Sequence, residues 1–466
     1  MSDLDDTAGA LAVHIPAPKP PIAIVLTGAG ARGAYEAGFI SRLLPELKHT
    51  RPTIIVGTSA GAINAALLAS LAARTPEEAS REIVERWRRI HKEMVLGPAW
   101  RSLLHAGRQY MTGLLLGRDA PTSLLDTGPL LTSLRDRTLI DWDVINDNLN
   151  DDPSDCRNGT TTSEQRDEKD EKGERKADVL AFATTESGSG RTKIFYQMRR
   201  KAQTREADPV KVPTDDDERA IDYVPTQLLP EHVRASAAIP VLFPPTRLGS
   251  ENRGRYYVDG GLRLNAPLKP AIEFGANGII VISTDSRRYG ASESVSTDKT
   301  PSIQDHILQA MRLVTSDRMI EEVAALVQNN AILEEFMVRE LDPTVVEQKK
   351  PIPVIFGGPS GHNDVGSVAA RALEDILRGT RKLGHLDLSL LYWLTSTSPY
   401  SRPDVLSYVL FEPQFIGAAI QAGIEDAAQL IEGADELIGG GTREDRIWSV
   451  LRRRHSEKIN RSSRCP

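Results

Sequence analysis

The first residue whose surroundings could make it reactive is a serine framed by glycines and set between two apolar runs. Gly57-Thr58-Ser59-Ala60-Gly61 is a G-x-S-x-G element between Thr53-Ile-Ile-Val56 and the small-residue run Ala62 to Leu71. A strand turning sharply into a helix at that point lifts the Ser59 hydroxyl to a helix N-terminus as a nucleophile. Ahead of it, Gly28-Ala29-Gly30-Ala31-Arg32-Gly33 follows the apolar run Ile22 to Leu26 and opens a second helical pattern. Backbone N–H groups in such a loop are aimed at negative charge. Read literally, the loop is G-x-G-x-x-G, the dinucleotide fingerprint, which also asks for an acid at the end of the next strand. Here that strand ends in the serine turn, and Glu46, at about the right separation, lies before it. A developing oxyanion therefore suits the loop better than a pyrophosphate, and a nucleotide-binding protein is the alternative from another class.

A serine nucleophile needs a base. Seven histidines follow Ser59, and only His362, in Gly357-Gly-Pro-Ser-Gly-His-Asn363, has a glycine-flanked setting. An acid has a better one. Tyr256-Tyr-Val-Asp259-Gly260-Gly261 puts a carboxylate at the end of an apolar stretch with two glycines behind it, where it can approach another backbone closely. Alone, this element reads as a simple turn.

The elements that must position these groups follow from patterning. Ile22–Leu26 and Thr53–Val56 read as strands buried on both faces, and Ala34 to Leu47 between them has helical spacing at Phe39, Ile40, Leu43, Leu44 and Leu47, a βαβ start to a parallel sheet. Residues 76 to about 149 read as mostly helical, with a new helix start at Asp126-Thr-Gly-Pro129. Strands resume at Val179–Ala183, Lys193–Tyr196 and Gly278–Ser283. A long helical pattern from Ile303 to Phe336 precedes Ile352–Phe356, and further helix runs to about Leu437. Residues 1–20 read as a flexible lead-in. Polar insertions lie near 151–177 and 202–219; Asp151 to Lys176 holds nine acids, six bases and no large apolar residue, so it reads as a disordered surface excursion. Strands bracket both insertions, which favours one catalytic core over 21–286. A mainly helical part over 287–437 then packs on the core, and a basic tail over 438–466 follows.

Composition narrows the class. The chain has 466 residues, 57 Lys+Arg against 64 Asp+Glu and a net charge of −7, which excludes a uniformly basic nucleic-acid binder. Two cysteines, Cys156 and Cys465, exclude a disulfide framework or a multi-Cys zinc site. The N-terminal residues carry no secretory pattern, so the expected location is cytoplasmic. Ile54 to Ala73 has no charge over 20 residues but reads as strand, turn and helix rather than a membrane span. The tail from Gly441 carries eight Arg/Lys against three acids beside Ile447, Trp448, Val450 and Leu451. That pattern suits either a weak contact with anionic lipid or a solvated basic end.

Taken together, the motifs resemble those of the patatin-like phospholipases, serine acyl hydrolases with a Ser-Asp dyad and no histidine. Gly28 to Gly33 is similar to the family's oxyanion loop, Gly57 to Gly61 to its nucleophile elbow, and Asp259-Gly260-Gly261 to its Asp-Gly-Gly/Ala element. Ala235-Ser-Ala-Ala-Ile-Pro240 through Phe243-Pro-Pro245, and Asn265-Ala-Pro267, fall in the matching order. One departure is Ala29, where the family commonly has a third glycine.

The resemblance implies an α/β fold of three layers, with a mostly parallel sheet between helices and a helical C-terminal region. It also implies acyl transfer in which Asp259 takes the Ser59 proton and the Gly28 to Gly33 loop holds the oxyanion, with Tyr256 and Val258 as an apolar surround for the carboxylate. The implied substrate is a fatty-acyl ester, phospholipid or lysophospholipid, with transient contact at a membrane surface and no cofactor or metal. An acyltransferase on the same dyad is the alternative within enzymes. Arg32 reads either as facing a phosphate or propping the loop, or as a helix-surface arginine. Trp100-Arg-Ser-Leu-Leu104 through Leu114-Leu-Leu116 reads as a buried helical pair or a lid.

Overall fold

Alternation along each central strand sorts side chains into two separate cores, which makes the molecule three layers deep. In β1 (Ile22–Leu26), Ile22, Ile24 and Leu26 join one core, while Ala23 and Val25 join the other. The same division runs through β2 (Ile54–Thr58), β3 (Val179–Glu186), β8 (Gly278–Ile282) and β9 (Val354–Gly357). Apolar side chains on both faces are what a parallel sheet sandwiched by helices requires. The computed structural model describes residues 17–28, 30–98, 123, 125–150, 177–204, 209–249, 254–285, 319, 321–334, 350–360, 364–379, 402–436 and 441–450.

The sheet order is β5-β4-β3-β2-β1-β8-β9, with β4 spanning Thr192–Met198 and β5 Ile221–Pro225. From β3 through β9 every pairing is parallel; β4 runs antiparallel to β3. A short ribbon of β6 (Thr246–Leu248) and β7 (Arg255–Asp259) attaches to the end of β3, antiparallel.

Helix α1 (Gly33–Leu43) follows β1, and its apolar stripe of Phe39, Ile40 and Leu43 is buried as the spacing predicts. Helix α2 (Ala60–Ser70) follows β2 and is buried on every side, which explains its small-residue composition and the absence of any charge. On the same face lie α3 (Pro76–Arg89), α4 (Gly128–Leu134) and α5 (Trp142–Leu149). Helix α3 opens with a reciprocal capping box between Thr75 and Glu78. Asp126 accepts from Gly128 N at 2.8 Å, marking the start of α4. Next come α6 (Pro230–Ser236), α7 (Leu268–Glu273), α8 (Val365–Gly379), α9 (Arg402–Val409) and α10 (Pro413–Asp435). Among the described residues no helix is long and apolar enough to cross a membrane.

Within the mainly helical part after residue 286, the Ile352–Phe356 run contributes β9, which extends the central sheet beside β8. One expectation changes. The segment read as a solvated or lipid-touching tail is, over 443–450, a helix docked on the core. Ile447, Trp448 and Val450 are buried; Trp448 Nε1 donates to Thr50 Oγ1 at 3.0 Å, and Glu444 accepts from Thr50 N at 2.7 Å. Ile447, Trp448 and Val450, three of the apolar residues that suggested lipid contact, are consumed by the protein itself; Leu451 lies outside the described residues. Within the 202–219 stretch, Ala202 and Val210 are buried and Asp216 is bridged to Ile221. The insertion over 151–176, both cysteines, the Trp100 to Leu116 stretch and most of the Ile303 to Phe336 pattern lie outside the described residues.

Candidate active site

The turn between β2 and α2 is strained at the residue that matters. Ser59 has φ 55° and ψ −123°, a region that costs a non-glycine residue about 1–3 kcal/mol and persists only where its surroundings enforce it. The flanking glycines supply room rather than unusual dihedrals. A Cβ on Gly57 would sit 2.3 Å from Gly61 O, and one on Gly61 would sit 2.3 Å from Leu26 O. The chain therefore folds onto itself and onto the end of β1, and Ser59 takes the strain. What enforces it is visible: Ser59 N donates to Ser236 Oγ at 2.9 Å, and the Ser236 hydroxyl donates to Ala183 O at 2.6 Å. Thr58 Oγ1 donates to Leu264 O at 3.1 Å, and Ala60 begins α2.

Strand β3 brings the acid to the serine. Thr58 pairs with Ala183, and Asp259 pairs with Thr184 on the same edge of β3, where β7 continues past the end of β2, while β4 occupies the opposite edge. Adjacent register positions thus place the ends of β2 and β7 together, although they are 200 residues apart in sequence. Asp259 Oδ1 accepts from Gly261 N at 2.7 Å, and Gly260 lies so close to Ala183 O that a Cβ there would be at 2.3 Å. Burial pushes the Asp259 carboxyl up to about 6, against the downward pull of the Ser59 hydroxyl beside it and the Gly261 N–H. The apolar surround does not come from Tyr256. The pleat turns Tyr256 outward, 55 % exposed, and Tyr257 inward.

The glycine loop lies against the serine turn: a Cβ on Gly28 would sit 2.5 Å from Ser59 Cβ. Gly28 N donates to Asn265 Oδ1 at 3.0 Å, so this amide is already engaged. Ala29 lies outside the described residues. Gly30 has φ 58°, and Gly30–Arg32 form a single 3₁₀ turn leading into α1. The opening N–H groups of such a turn have no acceptor within it, and Gly30 lines the same slot as Ser59. Arg32 is not on the helix surface. It is buried, with Nε donating to Ser407 Oγ at 2.6 Å, Nη1 to Asp285 Oδ1 at 2.9 Å, and its guanidinium 4.7 Å from the Tyr408 ring centre.

Sequence reasoning missed Glu36, one turn into α1. It is fully buried, accepting from Thr27 N at 2.8 Å and Asn64 Nδ2 at 2.9 Å, and burial raises its carboxyl to about 8. The signal was present: Glu36 shares a helical face with Ile40 and Leu43. Asn64 also donates to Gly33 O and accepts from Trp87 Nε1, linking both ends of the glycine loop to the helix behind Ser59. Ser236 and Asn265 sat inside recognised motifs without an assigned role.

A narrow slot opens at Ser59 and Gly30, walled by Ile63, Trp87, Leu134, Ile239, Phe243 and Phe411. Its volume is about 30 Å³, where one water needs about 10–15 Å³ on a comparable measure, so a long acyl chain must part the side chains. The lining suits a hydrocarbon chain. Of the histidines, His232 is buried on α6 and accepts from Leu229 N at 3.1 Å through Nδ1, and burial pushes its pKa down. His306 and His362 lie outside the described residues. Among the described residues no group of three or more His, Cys, Asp or Glu is gathered as a metal site.

A three-layer α/β fold with a serine elbow at the mouth of an apolar slot has the build of a lipid ester hydrolase. A family model described as Patatin-like phospholipase matches residues 24–272, more than half of the chain, and the protein belongs to the patatin-like phospholipase family. No curated protein matches it. Solved structures similar to the chain include VipD from Legionella pneumophila, 15 % identical, with 96 % of this chain and 76 % of that one covered at a TM-score of 0.29. Another is the ExoU–SpcU complex of the Pseudomonas aeruginosa type III secretion system, 17 % identical, with 95 % and 77 % covered at a TM-score of 0.25.

Proposed function

We propose that the protein cleaves fatty-acyl esters of phospholipids or lysophospholipids through a Ser59–Asp259 dyad. Asp259 accepts the Ser59 proton as Oγ attacks the acyl carbonyl. N–H groups of the Gly30 to Gly33 turn stabilise the tetrahedral oxyanion, and the proton passes from Asp259 to the departing alcohol. Water, deprotonated by the same carboxylate, then attacks the acyl-enzyme, releasing the fatty acid and restoring Ser59. Gly57 and Gly61 give the turn its room, with Thr58 and Ala60 on either side of the nucleophile; Gly260 and Gly261 hold the carboxylate. The observation that carries the reading is the strained Ser59 beside a buried Asp259 at the end of an apolar slot.

The test is release of fatty acid from a phosphatidylcholine and lysophosphatidylcholine panel, and of p-nitrophenol from short acyl esters, with chelator present. Wild type should turn over both, and Ser59→Ala and Asp259→Asn should each lose about 10³-fold or more while remaining folded. Retention of full activity by Asp259→Asn would move the base elsewhere. Acyl transfer to an added alcohol in preference to water would make the enzyme a transferase.

A further inference from the structure

Part of what holds the glycine loop comes from outside the segment that matches the family. That match ends at residue 272, yet the buried Arg32 side chain is gripped by Asp285, just past β8, and by Ser407 and Tyr408 on α9. The grip is close on the backbone side as well. Gly30 packs against Tyr408 O so tightly that a Cβ would lie at 2.1 Å. Thr284 N donates to Thr27 Oγ1 at 3.3 Å at the other end of the loop. Phe411, two residues beyond α9, forms part of the slot wall that Gly30 and Ser59 also line.

We propose that α9 and the Thr284-Asp285 corner form a latch that sets the geometry of the oxyanion loop, with Arg32 as a positioning residue rather than a ligand for the substrate's phosphate. Physically, a loop built from glycines and alanine has little stiffness of its own. A guanidinium held by a carboxylate, a hydroxyl and an aromatic face is a directional anchor that a point charge does not reproduce. Misplacing oxyanion donors weakens stabilisation of the transition state and leaves ground-state binding in the apolar slot largely untouched. The inference rests on the proposed acyl-transfer reading for its kinetic arm only.

Ser407→Ala, Asp285→Asn and Arg32→Lys would be compared with wild type on two substrates, a neutral p-nitrophenyl ester and phosphatidylcholine in mixed micelles. Expected is a fall in kcat of roughly 10- to 100-fold on both substrates, with KM within about twofold. Amide exchange of residues 27–36 should accelerate while the global melting transition stays cooperative. Two results would overturn the latch. One is unchanged kcat together with unchanged exchange in Ser407→Ala and Asp285→Asn. The other is a loss confined to KM for phosphatidylcholine, which would make Arg32 a headgroup ligand. If wild type hydrolyses neither ester, the catalytic reading fails, and the exchange measurement still decides the latch: acceleration confined to 27–36 supports it, and no acceleration refutes it.

Discussion

Ser236 holds the backbone of Ser59: the Ser59 amide donates to Ser236 Oγ at 2.9 Å, and the same hydroxyl donates to Ala183 O on β3 at 2.6 Å. One small side chain thereby ties a strained turn to β3, the strand against which β7 sets Asp259. Ser236→Ala removes that acceptor and orphans a buried N–H, costing about 1–3 kcal/mol. The turn should relax, and turnover should fall by roughly 10- to 100-fold with KM nearly constant. Thermal melts and steady-state kinetics on the same samples check it; normal kcat in a folded Ser236→Ala protein contradicts it.

The pH profile follows from the Asp259 carboxyl standing at about 6. A base works only when unprotonated, so kcat/KM should fall as pH drops through about 6 and level off above it. A profile flat down to pH 4 would remove Asp259 from the proton-transfer step.

Glu36 predicts the opposite trend in stability. Its folded pKa stands at about 8 against an ordinary 4.5, so between those values the unfolded chain gives up a proton that the folded protein keeps. Stability from this group is full below about 4.5 and declines as pH rises towards 8. Glu36→Gln, which stays neutral, should melt above wild type at pH 8 and lose that advantage near pH 4.5. Equal melting temperatures across the range would show that the carboxyl ionises normally.

The slot makes a chain-length prediction. Ile63→Phe adds bulk to a wall with almost no free space and should cost about 1–3 kcal/mol by overpacking. Hydrolysis of a palmitoyl ester should fall by about tenfold or more relative to an acetyl ester, since one methylene in such a pocket is worth about 10- to 200-fold. Parallel loss on both esters would place the acyl chain elsewhere.

Trp448→Ala tests the docked helix at 443–450. Loss of a buried indole and its bond to Thr50 should destabilise by about 3–5 kcal/mol, read as a lower denaturant midpoint. If the melt is unchanged and vesicle binding is lost instead, the helix faces lipid after all.

The strands and the serine turn were legible because they rest on local rules: unbroken apolar runs, glycines at fixed offsets, and a helical stripe at Phe39, Ile40 and Leu43. Asp259 was legible only as an acid before two glycines. Its proximity to Ser59 depends on β3 pairing with both β2 and β7, and no spacing along the chain encodes that. Arg32 stayed ambiguous because its partners lie some 250 and 375 residues away. The apolar residues near the C-terminus misled because amphipathic patterning is the same whether the partner is lipid or the protein's own core.

The bonds that assemble this site close across long distances: Ser59 to Ser236 spans 177 residues, Thr58 to Leu264 spans 206 and Gly28 to Asn265 spans 237. During translation, at about 5–20 residues per second, the serine emerges roughly 10–40 s before the aspartate. A nascent or truncated chain that has exposed Ser59 but not β7 has neither Asp259, the base of the proposed dyad, nor the partners that cage the turn. Turnover should therefore appear late in refolding, after helical signal has recovered, and lipid cleavage is withheld from every incomplete chain.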